Sequence, residues 1–214
     1  MRDEWVKFDW RKVERRINLV LNYKMEIEDI GTIFDIYFLA LFSERTDATP
    51  VLLLHGWPGS VLEFMEMVEL LKTKYTPADL PYHVIVPSWP GFEFSSSPQI
   101  DTDFGTHDVA RIFDKLMAQL GLGSGYIAQG GDLGSRVARI LAAKYESVKA
   151  VHLNYCFMPD PGTTAAEEYS AVEKESLARI QLFIAMGSAY GLIQATKPST
   201  IGLTLSSSLI ALLA

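Results

Sequence analysis

Strands alternating with helices predict an α/β fold, with a mostly parallel sheet and helices on both of its faces. Three observations carry this expectation. Val51-Leu52-Leu53-Leu54 is a continuous apolar run, the pattern of a strand buried on both faces. His83-Val84-Ile85-Val86, Tyr126-Ile127-Ala128 and residues 148–153 repeat it, and helical periodicity fills the intervals. Three glycine-bearing loops, His55-Gly56-Trp57-Pro58-Gly59-Ser60, Pro87-Ser88-Trp89-Pro90-Gly91-Phe92 and Gln129-Gly130-Gly131-Asp132-Leu133-Gly134-Ser135, follow the first three runs directly. In open parallel sheets the ligand site lies beyond the carboxyl ends of the strands, which is where all three loops fall.

Taken in order, residues 5–20 space Trp5, Phe8, Trp10, Val13, Ile17 and Val20 roughly as one face of a packing helix, with Arg and Lys between them as its solvated face. Residues 25–42 read as two strands joined by a turn at Asp29-Ile30-Gly31-Thr32. Residues 43–50 are polar and turn-rich. After the first buried run, Leu62, Phe64, Met65, Val68 and Leu71 mark a helix. Val109, Ile112, Phe113, Leu116, Met117 and Leu120 mark another, ended by Gly121 and Gly123. Residues 136–143 carry a third helix, and the fourth strand follows it. Beyond Pro159 the character changes: residues 160–164 form a loop, and residues 167–186 a helix whose apolar face is Leu177, Ile180, Phe183 and Ile184. Gly187-Ser188-Ala189-Tyr190 and the stretch from Ile193 to Pro198 complete a segment expected as a helical insertion over the sheet.

At 214 residues, 49% of them apolar and 21% charged, the chain is a globular domain with room for a substantial core. A net charge of -7 argues against nucleic acid and against an anionic membrane surface as partners. Cys156 is the one cysteine, so no intramolecular disulfide framework exists, in keeping with a reducing compartment. Met1-Arg2-Asp3-Glu4 is not the start of a signal peptide. Residues 201–214 are apolar but too short for a transmembrane helix, and Ser206-Ser207-Ser208 interrupts them. The expected location is cytoplasmic. No CxxC pair or HExxH helix points to a metal, and no GxGxxG or GxxxxGK[ST] run points to a nucleotide, so no cofactor is expected.

The stretch around Asp132 has the spacing of a nucleophile elbow, the strained strand-to-helix turn that lifts one side chain clear of the backbone. Gly130 lies two before Asp132, and Gly134 and Ser135 lie two and three after it, with Asp where Ser is more common. An Asp there can attack carbon and form an ester. The bland alternative is an Asp that caps the next helix, a favourable position for an acid. If Asp132 attacks, charge grows on its carbonyl-derived oxygen when the ester is hydrolysed, and fixed backbone N–H groups must stabilise it. Leu133, next in the chain, supplies one such N–H. The other falls to the HGWP loop, most plausibly Trp57, with Gly56 allowing close approach and Pro58 fixing the turn.

These three motifs together resemble the α/β-hydrolase-fold epoxide hydrolases, in particular the microsomal-type branch with its soluble fungal members. Asp9-Trp10-Arg11, with Glu14 and Asn18, is similar to the N-terminal region of that family, and residues 187–202, with the core Ile-Gln-Ala-Thr-Lys-Pro, to its lid. The resemblance covers nearly all of residues 5–214. It divides the chain into an N-terminal region (1–50), a hydrolase core (51–158) and a partial helical lid (159–214). It implies that Asp132 opens a small-molecule epoxide from the back and forms an ester. Two lid tyrosines then protonate the alkoxide, Tyr190 at one of their positions, and a histidine oriented by an acid activates water to release a vicinal diol. No metal or organic cofactor takes part. It also implies a structural role for His55 in its loop, and a pocket lined by Trp57 and Trp89.

The second tyrosine, the acid and the histidine of the family lie downstream of the lid, beyond Ala214. The chain is therefore expected to be truncated at both ends, to lack the C-terminal part of the fold, and to turn over poorly. The exposed sheet edge left by such a truncation favours a homo-oligomer or pairing with a relative. None of His55, His83, His107 and His152 is assigned as the base. Asp101, Asp103, Asp160, Glu167, Glu168 and Glu173 lie in polar stretches as solvated acids. Two rival readings remain: haloalkane dehalogenase-like chemistry, against which Leu133 offers no indole N–H for a halide, and a catalytically dead chain acting as a binding or regulatory partner.

Overall fold

The structure, a computed structural model, describes residues 3, 6–157 and 169–207. The described residues fall into two compact units, one spanning Asp9–Phe157 and the other holding residues 3, 6–8 and 169–207.

The first unit is built on a six-stranded sheet. Helix α1 (Trp10–Ile17) is followed by the hairpin β1 (Leu21–Asp29) and β2 (Thr32–Leu41). Then come β3 (Thr49–Leu54), a 3-10 turn (Val61–Phe64), α2 (Met65–Lys74), β4 (Tyr82–Pro87) and α3 (Thr106–Gln119). The last elements are β5 (Tyr126–Gly130), α4 (Asp132–Lys144) and β6 (Val148–Leu153). The strand order is β1-β2-β4-β3-β5-β6. Strands β4, β3, β5 and β6 run parallel, whereas the hairpin joins them antiparallel through β2 and β4. The hairpin strands, residues 21–29 and 32–41, thus belong to the same sheet as the strands after them.

Period-two alternation sorts the strand side chains onto two faces. Phe38, Ala40, Leu52, Leu54 and Ile85 pack with Val109, Ile112, Phe113 and Leu116 of α3 and with Val137, Ala138 and Leu141 of α4. Leu39, Leu41, Leu53, Val84 and Val86 pack with Val61, Met65 and Val68 on the other side. The helices therefore cover both faces, as expected from the sequence.

The hairpin turns at Ile30 and Gly31, both with positive φ (47° and 75°). Two left-handed residues match the twist of the flanking strands. An ion cluster pins this turn to α3. Arg111 donates through Nε and Nη2 to the two carboxylate oxygens of Asp29, at 2.7 Å each, and Lys115 Nζ adds a third bond at 2.9 Å. The Arg111 guanidinium holds the Asp29 carboxyl below its ordinary range.

The first helix is shorter than the 5–20 spacing predicts. Asp9 caps it by accepting the Arg11 amide, so Phe8 lies outside and is exposed, and Val20 reaches the core from beyond its end. Trp5 is outside the described residues.

The second unit contains α5 (Ala171–Leu182), a π-helical turn (Phe183–Gly187), α6 (Ala189–Thr196) and α7 (Pro198–Ser206). A reciprocal cap starts α5: the Ser170 hydroxyl accepts the Glu173 amide and the Glu173 carboxylate accepts the Ser170 amide. Pro198 starts α7 from its first position. None of the three helices contains a buried residue. The loop expected at 160–164, Glu167 and Glu168 lie outside the described residues. Among the described residues no single helix is long and apolar enough to cross a membrane; the pair Ala171–Gly187 and Ala189–Thr196, bent by 49°, passes that test only together.

Candidate active site

Register places the site. Leu54 of β3 stands opposite Gly130 of β5, and Leu52 opposite Ile85 of β4. The chain after β3 and the chain after β5 therefore leave the sheet side by side, with the loop after β4 on the other flank.

Asp132 is the first residue of α4 and has φ of 47°. A non-glycine residue in the left-handed region costs of order 1 kcal/mol or more and persists only where its surroundings enforce it. Here close packing does so. A Cβ on Gly130 would lie 2.2 Å from Gly134 O, and one on Gly134 2.2 Å from Leu54 O. The buried Ser135 hydroxyl closes the turn by donating to Asp132 O at 2.6 Å. The elbow spacing in the sequence is thus the spacing of backbone-to-backbone contacts.

The Asp132 side chain is solvent-exposed, and its Oδ1 accepts the Trp57 amide at 2.9 Å. That bond joins two loops 75 residues apart rather than capping the helix Asp132 begins. Gly56 permits the approach, because a Cβ there would lie 2.6 Å from Asp132 Cβ. The Trp57–Pro58 peptide is cis, a choice the sequence leaves open. Pro58 is exposed and Trp57 half-buried. The Leu133 amide follows Asp132 in the first turn of α4, where helix N–H groups have no intrahelical acceptor.

His55 is 1% exposed. Its Nδ1 lies 3.0 Å from Gly56 O, and its Nε2 accepts the Trp89 amide at 3.2 Å. The acceptor role of Nε2 assigns the proton to Nδ1. Burial pushes its pKa below the usual histidine value. Trp89 is buried beside it, with ring centroids 5.8 Å apart, and the Trp89 indole Nε1 has no hydrogen-bond partner among the described residues. Hydroxyls set the loop carrying Trp89: Ser88 donates to Phe92 O at 3.0 Å and Ser95 to Ser88 O at 2.8 Å.

One contributor escapes a reading of the sequence alone: Glu63 Oε1 accepts the Gly56 amide at 3.1 Å. Ser60, three residues before Glu63, makes a capping-box pattern that could have flagged the acid. In the structure Ser60 caps the Leu62 amide while Glu63 reaches the loop instead. Tyr190 lies on α6 in the second unit and is exposed. Of the remaining histidines, His83 Nδ1 accepts the Ser43 amide, His107 sits in the first turn of α3 and His152 on β6. None of the four shares a hydrogen bond with Asp132. Glu173 is spent on its helix cap. Among the described residues no cluster of His, Cys, Asp and Glu has the makings of a metal site.

The family model of the alpha/beta hydrolase fold matches residues 49–174, more than half of the chain. The chain belongs to the alpha/beta hydrolase fold family. The model of the epoxide hydrolase N terminus matches residues 1–64 of this alpha/beta hydrolase. Aspergillus niger epoxide hydrolase superposes with a TM-score of 0.86 at 51% identity, covering 100% of this chain and 55% of that one. The juvenile hormone epoxide hydrolase of the silkworm Bombyx mori superposes with a TM-score of 0.72 at 30% identity, covering 99% and 50%. A Dothistroma septosporum protein that carries an epoxide hydrolase designation is 44% identical over 207 residues, 96% of this chain and 49% of its own. This alpha/beta hydrolase therefore spans about half the length of the relatives it matches.

Proposed function

We propose that this chain carries the nucleophilic chemistry of an epoxide hydrolase, with Asp132 as the attacking residue. The observation that carries this reading is the Trp57 N–H bound to Oδ1 of an aspartate held at positive φ. With Oδ1 occupied, Oδ2 is the oxygen left to attack. It displaces the epoxide oxygen from a ring carbon, a C–O bond breaks, and the pair of electrons stays on the departing oxygen. That alkoxide takes up a proton, and the sequence resemblance alone gives the donor's role to Tyr190. Oδ1 becomes the ester carbonyl oxygen, already seated on the donor that must stabilise it when water adds, with the Leu133 N–H as the second donor. Water adds to Cγ of the ester, the Cγ–Oδ2 bond breaks, and the products are the Asp132 carboxylate, a vicinal diol and a proton that restores the donor. Nothing in this sequence calls for a metal or organic cofactor.

The histidines argue that release is the slow half. His55 uses both ring nitrogens within its loops, and none of the four is bonded to Asp132. The ester accordingly accumulates. Haloalkane dehalogenation is the weaker use of such an elbow, since Leu133 has no indole N–H for a departing halide. Parallel incubations with styrene oxide and with a chloroalkane separate the two. Ester or diol from the epoxide without chloride release supports the proposal; chloride release without reaction at the epoxide refutes it.

A second reading rests on β6, which among the described residues is the last strand of the sheet beside β5, and whose residues Lys149–His152 are all exposed. An open edge of this kind favours strand pairing with another copy or a relative. Concentration-dependent size-exclusion elution, reversed by a charge or proline at Val151, would support it.

A further inference from the structure

We propose that the cleft between α1, the β1–β2 hairpin and the loop after β4 binds an organic cation, an ammonium ion carried on an apolar body. The proposal goes beyond the chemistry of Asp132, because the cleft shares no lining residue with the site built around the elbow. It encloses about 880 Å³, within the range of small-molecule sites. Each of three elements brings one aromatic ring and one carboxylate to it: Trp10 and Glu14 from α1, Tyr37 and Asp35 from β2, Phe94 and Glu93 from the loop. The spacing explains the pairing. Trp10 and Glu14 stand four apart on one helix face, and Asp35 and Tyr37 two apart on one strand face. Trp10 and Phe94 are each 47% exposed, so aromatic surface is left open there. Phe94 and Tyr37 meet at 70° with ring centroids 5.0 Å apart.

The walls are fixed before any ligand arrives, which lowers the cost of binding. Ser95 Oγ accepts the Tyr37 amide at 3.0 Å, Ser96 Oγ accepts the Asp35 amide at 2.9 Å, and the Ser96 amide donates to Asp35 O at 2.9 Å. These bonds strap the loop to β2. Asn22 Nδ2 donates to Ile17 O at 3.1 Å and ties the end of α1 to β1. Charge then selects the occupant. Arg11 neutralises Glu14 by donating to both its oxygens, at 2.8 and 2.6 Å. Among the described residues Asp35 and Glu93 take part in no ion pair. Lys24 also lines the cleft, but it is exposed, and its long stem can keep its ammonium in water. A cation over these rings is attracted by their faces and by two uncompensated carboxylates together. An anion meets repulsion from both. A hard metal ion is poorly served, since among the described residues no three His, Cys, Asp or Glu side chains converge.

Titrating the purified full chain with benzyltrimethylammonium chloride, followed by nitrogen-15 NMR, tests this without an epoxide. Benzyl alcohol, which keeps the ring and lacks the charge, is the control. The expected result is saturable shifts at the Trp10 indole N–H and at the Phe94 and Ser96 amides, with Trp57 and Leu133 unmoved, and much weaker binding of benzyl alcohol. Trp10→Ala, and separately the pair Asp35→Asn with Glu93→Gln, should each weaken the cation roughly tenfold. All three side chains are exposed, so the variants should keep the fold, read as unchanged Leu53 and Ile127 amides. Four results would overturn the proposal: no saturable shift, benzyl alcohol bound as tightly as the cation, full affinity in the folded variants, or shifts centred on Trp57 and Leu133 instead.

Discussion

On α3 of the sheet unit, Phe113 and Leu116 are fully buried, whereas in the helical unit Phe183 and Leu192 remain 49% and 62% exposed. Both regions form helices by local means. Asp108 caps the start of α3 by accepting the Gly105 amide, and Glu173 does the same for Ser170 at α5. What differs is the surface each helix meets. The alternating faces of β2, β3 and β4 give α2, α3 and α4 a complementary apolar wall, and α5, α6 and α7 bury no residue at all. Helix formation is a local property; burial is a property of what lies opposite. The proposed chemistry divides along the same line, since Asp132 and Trp57 are aimed by backbone packed in the core, and Tyr190 is carried by an exposed helix.

The largest effect that would sharpen this contrast is a pair of truncations. Phe113→Ala should destabilise the sheet unit by about 4 kcal/mol, read as a shift in the urea midpoint. Phe183→Ala should change it by less than about 0.5 kcal/mol. Similar costs for the two would break the comparison. Next in size is the ion cluster. Asp29→Asn leaves Arg111 and Lys115 without their shared carboxylate and should cost about 3 kcal/mol. Its pH dependence has a definite sign. The folded-state pKa of Asp29 lies below its unfolded value, so its contribution is complete above about pH 3.9 and fades as pH falls through the folded pKa. Wild-type and Asp29→Asn stabilities should therefore converge in acid.

The sequence made the sheet's frame legible because strands and helices announce themselves by period. Residues 148–153 form a strand over the span read from them, and the turn at Ile30-Gly31 falls where glycine punctuates the pattern. The elbow was legible for a related reason: Gly130 and Gly134 mark backbone contacts too close for a side chain. Strand order was not legible, because β4 lying between β2 and β3 depends on pairings across the chain. Nor were the parts played by Glu63 and by the two nitrogens of His55. Those bonds go to backbone atoms, one of them 34 residues away, and backbone acceptors and donors leave no mark in residue identity. The start of α1 was misplaced because apolar spacing ran on past the residue, Asp9, that caps it.

The smallest effect concerns the helical unit alone. Ser170→Ala removes the reciprocal cap of α5 and should cost about 1 kcal/mol of local helix stability. Faster amide exchange confined to the first turn of α5, with the sheet unchanged, is the expected result; exchange altered in β3 and β5 as well would mean the two units unfold as one.

The most direct test of the nucleophile is intact mass after the purified chain meets excess styrene oxide, beside Asp132→Asn. A single adduct of one epoxide per chain, mapped to Asp132 and absent from Asp132→Asn, is the predicted result. A folded wild-type chain that gains no mass and makes no diol, or an adduct that persists in Asp132→Asn, would contradict it.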